Sequence, residues 1–202
     1  MTRYVALIFL IILLGATSLQ AQQFTFGPKV GFTSSHLTTD QDSLMDEFRQ
    51  GFQGGVFFRF YGDYFYFQPE IMYVTKGGVF DEQNQSFKQD IDVQSIDFPV
   101  VFGLKLGPEE FNFRVHAGPV ASFVIQKTVE TTGNGLIQPI KTRNIKDSML
   151  GAIVGVGMDI LSFTLDVRYE YGWDNIYTQK AGDPEMKMRH EMFNVSVGYK
   201  FL

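Results

Sequence analysis

Three histidines, His36, His116 and His190, are the side chains of this chain that change charge near neutral pH, which makes them the first candidates for acid–base chemistry. A hydrolytic site would set one of them within hydrogen-bond reach of a nucleophile, and His116 has Ser95 and Ser122 as conceivable partners. No spacing motif supports that pairing, and geometry must come before reactivity, so His116 reads more simply as a member of a polar network. Asp40, Asp42, Asp46 and Glu47 offer oxygen ligands to a divalent cation. They lack the glycine and closing glutamate of a helical calcium loop and read as solvated loop charge. No catalytic residue, metal site or cofactor is therefore expected.

A more regular polar set comprises Lys29, Arg59, Glu70, Asp97, Lys105, Arg114, His116, Asp159, Asp166, Arg168, Glu170 and Lys200. Each stands at an alternate position of a segment whose intervening residues are apolar, the period of two that marks a strand with unlike faces. Eight such segments cover about Phe24–Ser34, Phe52–Tyr61, Tyr64–Lys76, Gln94–Leu106, Phe111–Gln126, Ser148–Ile160, Phe163–Gly172 and Glu191–Phe201. In the seventh, Phe163, Leu165, Val167, Tyr169 and Tyr171 alternate with Asp166, Arg168 and Glu170. Across all eight, the apolar face carries a single charge, Glu191, at a strand end.

The connections sort by length. Gly62-Asp63, Gly107 to Glu110 and Leu161-Ser162 are tight, whereas about Ser35–Gln50, Gly77–Lys88, Lys127–Asp147 and Trp173–Arg189 are long, and the two kinds alternate. An up-and-down barrel then carries every long loop at one end, as outer-membrane barrels do, with short turns on the periplasmic side. Each segment is near the roughly 9–11 residues a tilted strand needs to cross. The expected fold is all-β: an eight-stranded antiparallel up-and-down transmembrane β-barrel.

Periodicity does not say which face points inward, and a soluble lipocalin-type barrel would show the same alternation inverted. Aromatic residues favour lipid outside, since they gather at the strand ends as two belts. Phe24, Phe26, Phe60, Phe65, Phe67, Phe111, Phe113, Phe163, Tyr199 and Phe201 lie toward the short turns, and Phe32, Phe52, Tyr73, Phe123, Tyr171 and Phe193 toward the loops. Counting back from the tight turns sets Gly55 opposite Glu70, Gly103 opposite Arg114, Gly157 opposite Asp166 and Gly155 opposite Arg168, small against large as a narrow interior requires. Lys29, Arg59, Lys105, Arg114, Arg168 and Lys200 then share a lumen with Glu70, Asp97, Asp159, Asp166 and Glu170. Paired charges tolerate removal from water far better than lone ones. Mutual pairing and a lumen without a continuous pore are expected, because eight strands leave room for little more than side chains.

The first residues read as an export signal, with Arg3, the apolar run Val5–Leu14 and the cut after Ala21. The expected division is a cleaved signal peptide over 1–21 and one barrel domain over 22–202. With no cysteine, neither a disulfide nor lipidation at a cysteine can hold the mature chain. The formal net charge of −5 argues against a nucleic-acid partner. The expected partners are outer-membrane lipid and a protein met by the extracellular loops, and the expected state is a monomer in the outer membrane. Lys127, Lys141, Arg143 and Lys146 make the third long loop the basic exception.

Several stretches resemble the small outer-membrane β-barrel family that includes PorT, a protein of type IX secretion. They are Phe26-Gly27-Pro28-Lys29-Val30-Gly31, the run Ile96 to Lys105, Ala117-Gly118-Pro119, Arg168 to Trp173 and Val197-Gly198-Tyr199-Lys200-Phe201. The resemblance implies fold and location and brings no shared catalytic residues, and it opens a link to protein secretion. The leading functional expectation is a structural or docking protein that works through its loops. The alternative is an enzyme acting on lipid or peptide at the loop end, with His116, His36 or His190 as base.

Overall fold

In a computed structural model of the chain, the described residues are 23–39, 44–47, 49–82, 87–108, 110–133, 146–173 and 188–201. They hold the strands β1 (Gln23–Thr39), β2 (Leu44–Glu47), β3 (Arg49–Tyr61), β4 (Phe65–Glu82), β5 (Phe87–Leu106), β6 (Phe111–Gly133), β7 (Ser148–Ile160), β8 (Phe163–Gly172) and β9 (Met188–Tyr199). The expected signal segment, Asp40, Asp42, Lys141, Arg143 and Leu202 lie outside the described residues, as do the side chains of His36, Asp46 and Glu47.

Pairing runs β4-β3-β1-β9-β8-β7-β6-β5, and β5 pairs back onto β4, which closes the sheet. β2 pairs with β4 beyond the end of β3 and serves as its outward continuation, so the barrel has eight staves, all antiparallel. Closure removes the free edges that a lipid environment would punish.

Alternation sends the apolar faces outward. Phe32 is 80% and Phe65 70% exposed, while Arg59 is 0% and Lys29 and Arg114 are 1% exposed. The soluble lipocalin-type arrangement, which needs the apolar face inside, is thereby excluded. Rings meet in the short-turn belt, as in Phe24–Phe60 at 5.0 Å, Phe67–Phe102 at 5.1 Å and Tyr199–Phe201 at 5.2 Å, and in the loop-end belt, as in Phe52–Tyr73 at 5.6 Å. The outward charge Glu191 sits beside this second belt and accepts a hydrogen bond from Tyr169 Oη, and Arg189, on the same face of β9, donates to Tyr171 Oη at 2.8 Å.

Two features of the sequence reading are corrected. Six of the strands run past the apolar pattern into the expected loops, to Thr39 in β1, back to Arg49 in β3, to Glu82 in β4, back to Phe87 in β5, to Gly133 in β6 and back to Met188 in β9. Outside lipid the backbone ladder needs no apolar face, so Val79 pairs with Asp90 and Gln89 with Thr131 although the hydrophobic alternation has ended. The second correction is register. Gly157 faces Asp166 and Gly155 faces Arg168 as expected across the two-residue Leu161-Ser162 turn. Gly55 faces Met72 rather than Glu70, and Gly103 faces His116 rather than Arg114. Both hairpins spend two more residues in the turn, through the Gly62 N to Phe65 O bond in one and the Gly107 φ of 118° in the other. A slip of two preserves which side chains share a face, so the inward set is unchanged.

Candidate functional site

The interior contains two groups of charged side chains. The larger lies toward the short turns and is built by β1, β3, β4, β6, β7 and β8. Asp159 pairs with Arg59 Nη1 at 2.9 Å, Arg114 Nε at 3.1 Å and Lys200 Nζ at 3.4 Å. Asp166 pairs with Lys29 Nζ at 2.5 Å, Arg114 Nη2 at 2.9 Å and Arg168 Nη2 at 3.4 Å. Glu70 takes both arms of Arg168, at 2.9 and 2.7 Å, and Lys29 Nζ at 3.1 Å. The two-armed contact is the strongest form of arginine–carboxylate pairing. Arg114 joins the Asp159 and Asp166 centres, and Arg59 donates to Gln68, Tyr61 Oη and Thr164 Oγ1.

His116 belongs to this group. Arg168 Nε donates to His116 Nε2 at 3.0 Å, and His116 Nδ1 lies 2.8 Å from Tyr66 Oη. A guanidinium nitrogen can only donate, so Nε2 is the bare nitrogen and the imidazole proton sits on Nδ1, aimed at the phenol oxygen. The serine partners considered from sequence are elsewhere. Ser122 Oγ accepts from Lys76 Nζ at 3.1 Å, and buried Ser95 Oγ has no hydrogen-bond partner among the described residues.

The smaller group lies toward the loops. Lys76 Nζ reaches Asp97 Oδ2 at 2.8 Å and Glu170 Oε1 at 3.1 Å, and His190 Nε2 lies 2.8 Å from the same Glu170 oxygen. Met72, Val74 and Met192 form an apolar cluster whose positions on β4 and β9 fall between the two charge groups. Asp97 and Glu170 thus lie inside, apart from the ten other residues named with them. Lys105 stands differently again, with Nζ 4.8 Å from the Tyr61 ring centroid and no ion-paired carboxylate among the described residues.

Sequence reasoning passed over Lys76 and His190 as members of the interior set. Lys76 shares the alternate positions of Gln68 and Glu70 on its strand, which was the available signal. His190 sits one residue beyond the apolar pattern of its strand, and only the longer β9 shows that it points inward. Glycines make the room. A Cβ on Gly157 would lie 2.6 Å from Arg114 Nη2, and one on Gly155 2.8 Å from both Arg168 Cγ and His116 Nε2. Among the described residues no three histidines or carboxylates are grouped to hold a metal.

Comparisons with known proteins match this geometry. A family model described as "Outer membrane protein beta-barrel domain" matches residues 20–177. No curated protein matches the chain. Among solved structures, the outer membrane protein OprG of Pseudomonas aeruginosa shares 13% identity over 89% of this chain and 97% of its own, with a TM-score of 0.51. Neisserial surface protein A shares 13% identity over 87% of this chain and 97% of its own, with a TM-score of 0.48. Ail, the attachment invasion locus protein of Yersinia pestis, solved with the heparin analogue sucrose octasulfate, shares 15% identity over 89% and 99%, with a TM-score of 0.48. At such identities the likeness is one of fold.

Proposed function

The chain belongs to the outer membrane protein beta-barrel domain family and is a small outer-membrane barrel with a polar, ion-paired lumen; on that premise we propose that it is a non-enzymatic monomer that presents its loops to a protein partner. The observation that carries this reading is the state of the interior. Lys29, Arg59, Arg114, Asp159, Asp166 and Arg168 are each at most 3% exposed, and each of the six is ion-paired to at least one of the others. A lumen filled in this way supports neither a water-filled path nor a base poised beside a nucleophile. What remains for recognition is the loop end, where binding residues commonly lie. The expected signal peptide over 1–21 fits export to that location.

Purified protein in planar bilayers should show no steady ohmic conductance, and a stable porin-like current would remove the closed-lumen premise. Deleting the tip Thr131–Pro139, most of which lies outside the described residues, should leave the gel shift of a folded barrel intact while abolishing a partner captured by crosslinking in the native envelope. Retained capture would count against the third loop as platform. A narrower reading, participation in type IX secretion, draws on the PorT-like stretches Ile96 to Lys105 and Arg168 to Trp173. It requires that deleting the whole chain stop secretion of that system's cargo, and normal secretion would end it.

A further inference from the structure

The wall has an interrupted seam near the loop end. Between β3 and β4 the ladder runs from Tyr61↔Tyr66 to Gln53↔Val74, stops, and resumes through β2 at Glu47↔Val79, one residue out of step. Residues 49–52 therefore face 75–78 without a backbone ladder between them. Buried backbone groups left in that state would be costly, and side chains satisfy them. Thr33 Oγ1 of β1 donates to Thr75 O at 2.9 Å, and Ser35 Oγ donates to Gly77 O and accepts from Gly77 N, both at 2.9 Å. Thr75 Oγ1 accepts from Phe52 N at 2.7 Å and donates to Phe52 O at 3.0 Å.

Beside these hydroxyls the parted strands leave a cavity of about 300 Å³, lined by Arg49, Phe52, Tyr73, Thr75, Asp92 and Gln94 among others, at the lower end of small-ligand sites. Arg49 Nη2 meets Asp92 Oδ2 at 2.7 Å, joining β3 to β5 past the side-chain-free Gly77 and Gly78 of the strand between them, and the two side chains are 27% and 30% exposed. Asp92 Oδ1 is buried and has no hydrogen-bond partner among the described residues. The cavity adjoins the loop-end aromatic belt, since the rings of Phe52 and Tyr73 meet at 5.6 Å in its wall, and such belts lie at the level of lipid headgroups.

We propose that this gap binds a phosphate ester that carries an ammonium group, the headgroup of an amine-bearing lipid in the surrounding membrane. The planar fork of Arg49 suits a phosphate, and an ammonium supplies the donor that Asp92 Oδ1 lacks. The order of the charges, cation on β3 and carboxylate on β5, matches the two ends of such a headgroup. Phe52 and Tyr73 hold the apolar part of the lipid next to the headgroup, so the lipid binds better than its free headgroup.

The full chain, folded in detergent, is titrated with dihexanoyl phosphatidylethanolamine, dihexanoyl phosphatidylcholine, dihexanoyl phosphatidylglycerol and free phosphoethanolamine, with binding read by native mass spectrometry and calorimetry. The ethanolamine lipid should bind about tenfold more tightly than each of the other three, a difference calorimetry resolves readily. Arg49→Gln should weaken it by about tenfold, and Asp92→Asn should erase the preference over the choline lipid. Equal binding of all four compounds, or an Arg49→Gln protein that binds as before, overturns the site. Free phosphoethanolamine binding as tightly as the lipid overturns the membrane source. Each variant must first show the gel shift of a folded barrel. Where one does not, the ligand series on the unaltered protein decides alone.

Discussion

Toward the short turns, each interior carboxylate is served by at least two cations, as Asp166 is by Lys29, Arg114 and Arg168 and Glu70 is by Lys29 and Arg168. Toward the loops one cation, Lys76, serves both Asp97 and Glu170, with His190 as a further contact of Glu170 only. The groups are of one chemistry on opposite sides of the Met72, Val74 and Met192 layer, yet they differ in redundancy. A shared network keeps a partner for every charge when one member is lost, whereas a cluster built on a single cation does not. Breaking a buried pair is costly mainly through the charge left behind, so position in the network, more than the number of contacts, governs the penalty.

The largest effect should therefore come from Lys76→Met, which leaves Asp97 without an ion-pair partner among the described residues. A loss of about 3–5 kcal/mol is expected, measured as the urea midpoint of refolding into detergent or lipid. Asp166→Asn removes a residue with more ion pairs, but Lys29 and Arg168 keep Glu70 and Arg114 keeps Asp159. Its expected cost is smaller, about 1–3 kcal/mol. If Asp166→Asn proves the more damaging of the two, the redundancy account is wrong.

Gly157→Ala sharpens the comparison from the packing side. Its methyl meets Arg114 Nη2 at 2.6 Å, and that guanidinium is held between Asp159 and Asp166, so the group cannot easily yield. A cost of about 1 kcal/mol fits the lower range for overpacking. Gly54→Ala on the lipid face, whose nearest neighbour would be Val30 Cγ1 at 3.9 Å, should be tolerated.

The smallest effect belongs to the exposed pair at the loop end. Lys127 Nζ donates to Asp147 Oδ1 at 2.7 Å, and this hydrogen bond, aided by the lysine charge, holds the Asp147 carboxyl below the usual carboxylate range. A depressed carboxyl stabilises the fold above its ordinary pKa and ceases to do so as pH falls through the folded value. Solvent screening makes the contribution of such an exposed pair slight. Lys127→Ala should give the same urea midpoint as the unaltered protein at neutral and at acid pH, while moving the Asp147 titration upward by NMR.

The legibility of these features followed the periodicity. In β8, strict alternation of Phe163, Leu165, Val167, Tyr169 and Tyr171 with Asp166, Arg168 and Glu170 is enough to assign both faces. The two-residue turn at Leu161-Ser162 then sets the register with β7 correctly. The register failed at Gly62-Asp63 and at Gly107, where turn length depends on backbone geometry that composition does not encode. Lys76 was visible on the inward face of its strand but was not joined to Asp97 and Glu170, because its register against Asp97 on the adjoining β5 depends on the length of the connection between β4 and β5, and Glu170 stands on β8, which only barrel closure brings near. The hydroxyl seam of Thr33, Ser35 and Thr75 had no signal at all, since serine and threonine at alternate positions look the same whether they cross-link strands or merely line a wall.

By itself, the sequence determined that the chain makes a barrel with an outer face almost free of charge, where its aromatic belts lie, and which face of each strand carries its ionisable side chains. It could do so because a strand's side-chain period of two is a local property, and charge in lipid is penalised wherever it occurs. Only the tertiary structure decided which of those charges meet, how far the strands continue beyond lipid, and where the wall is held by hydroxyls instead of a backbone ladder. Those outcomes depend on register and closure, which bring together residues far apart in the chain, such as Arg59 and Asp159, and no local pattern records such distances.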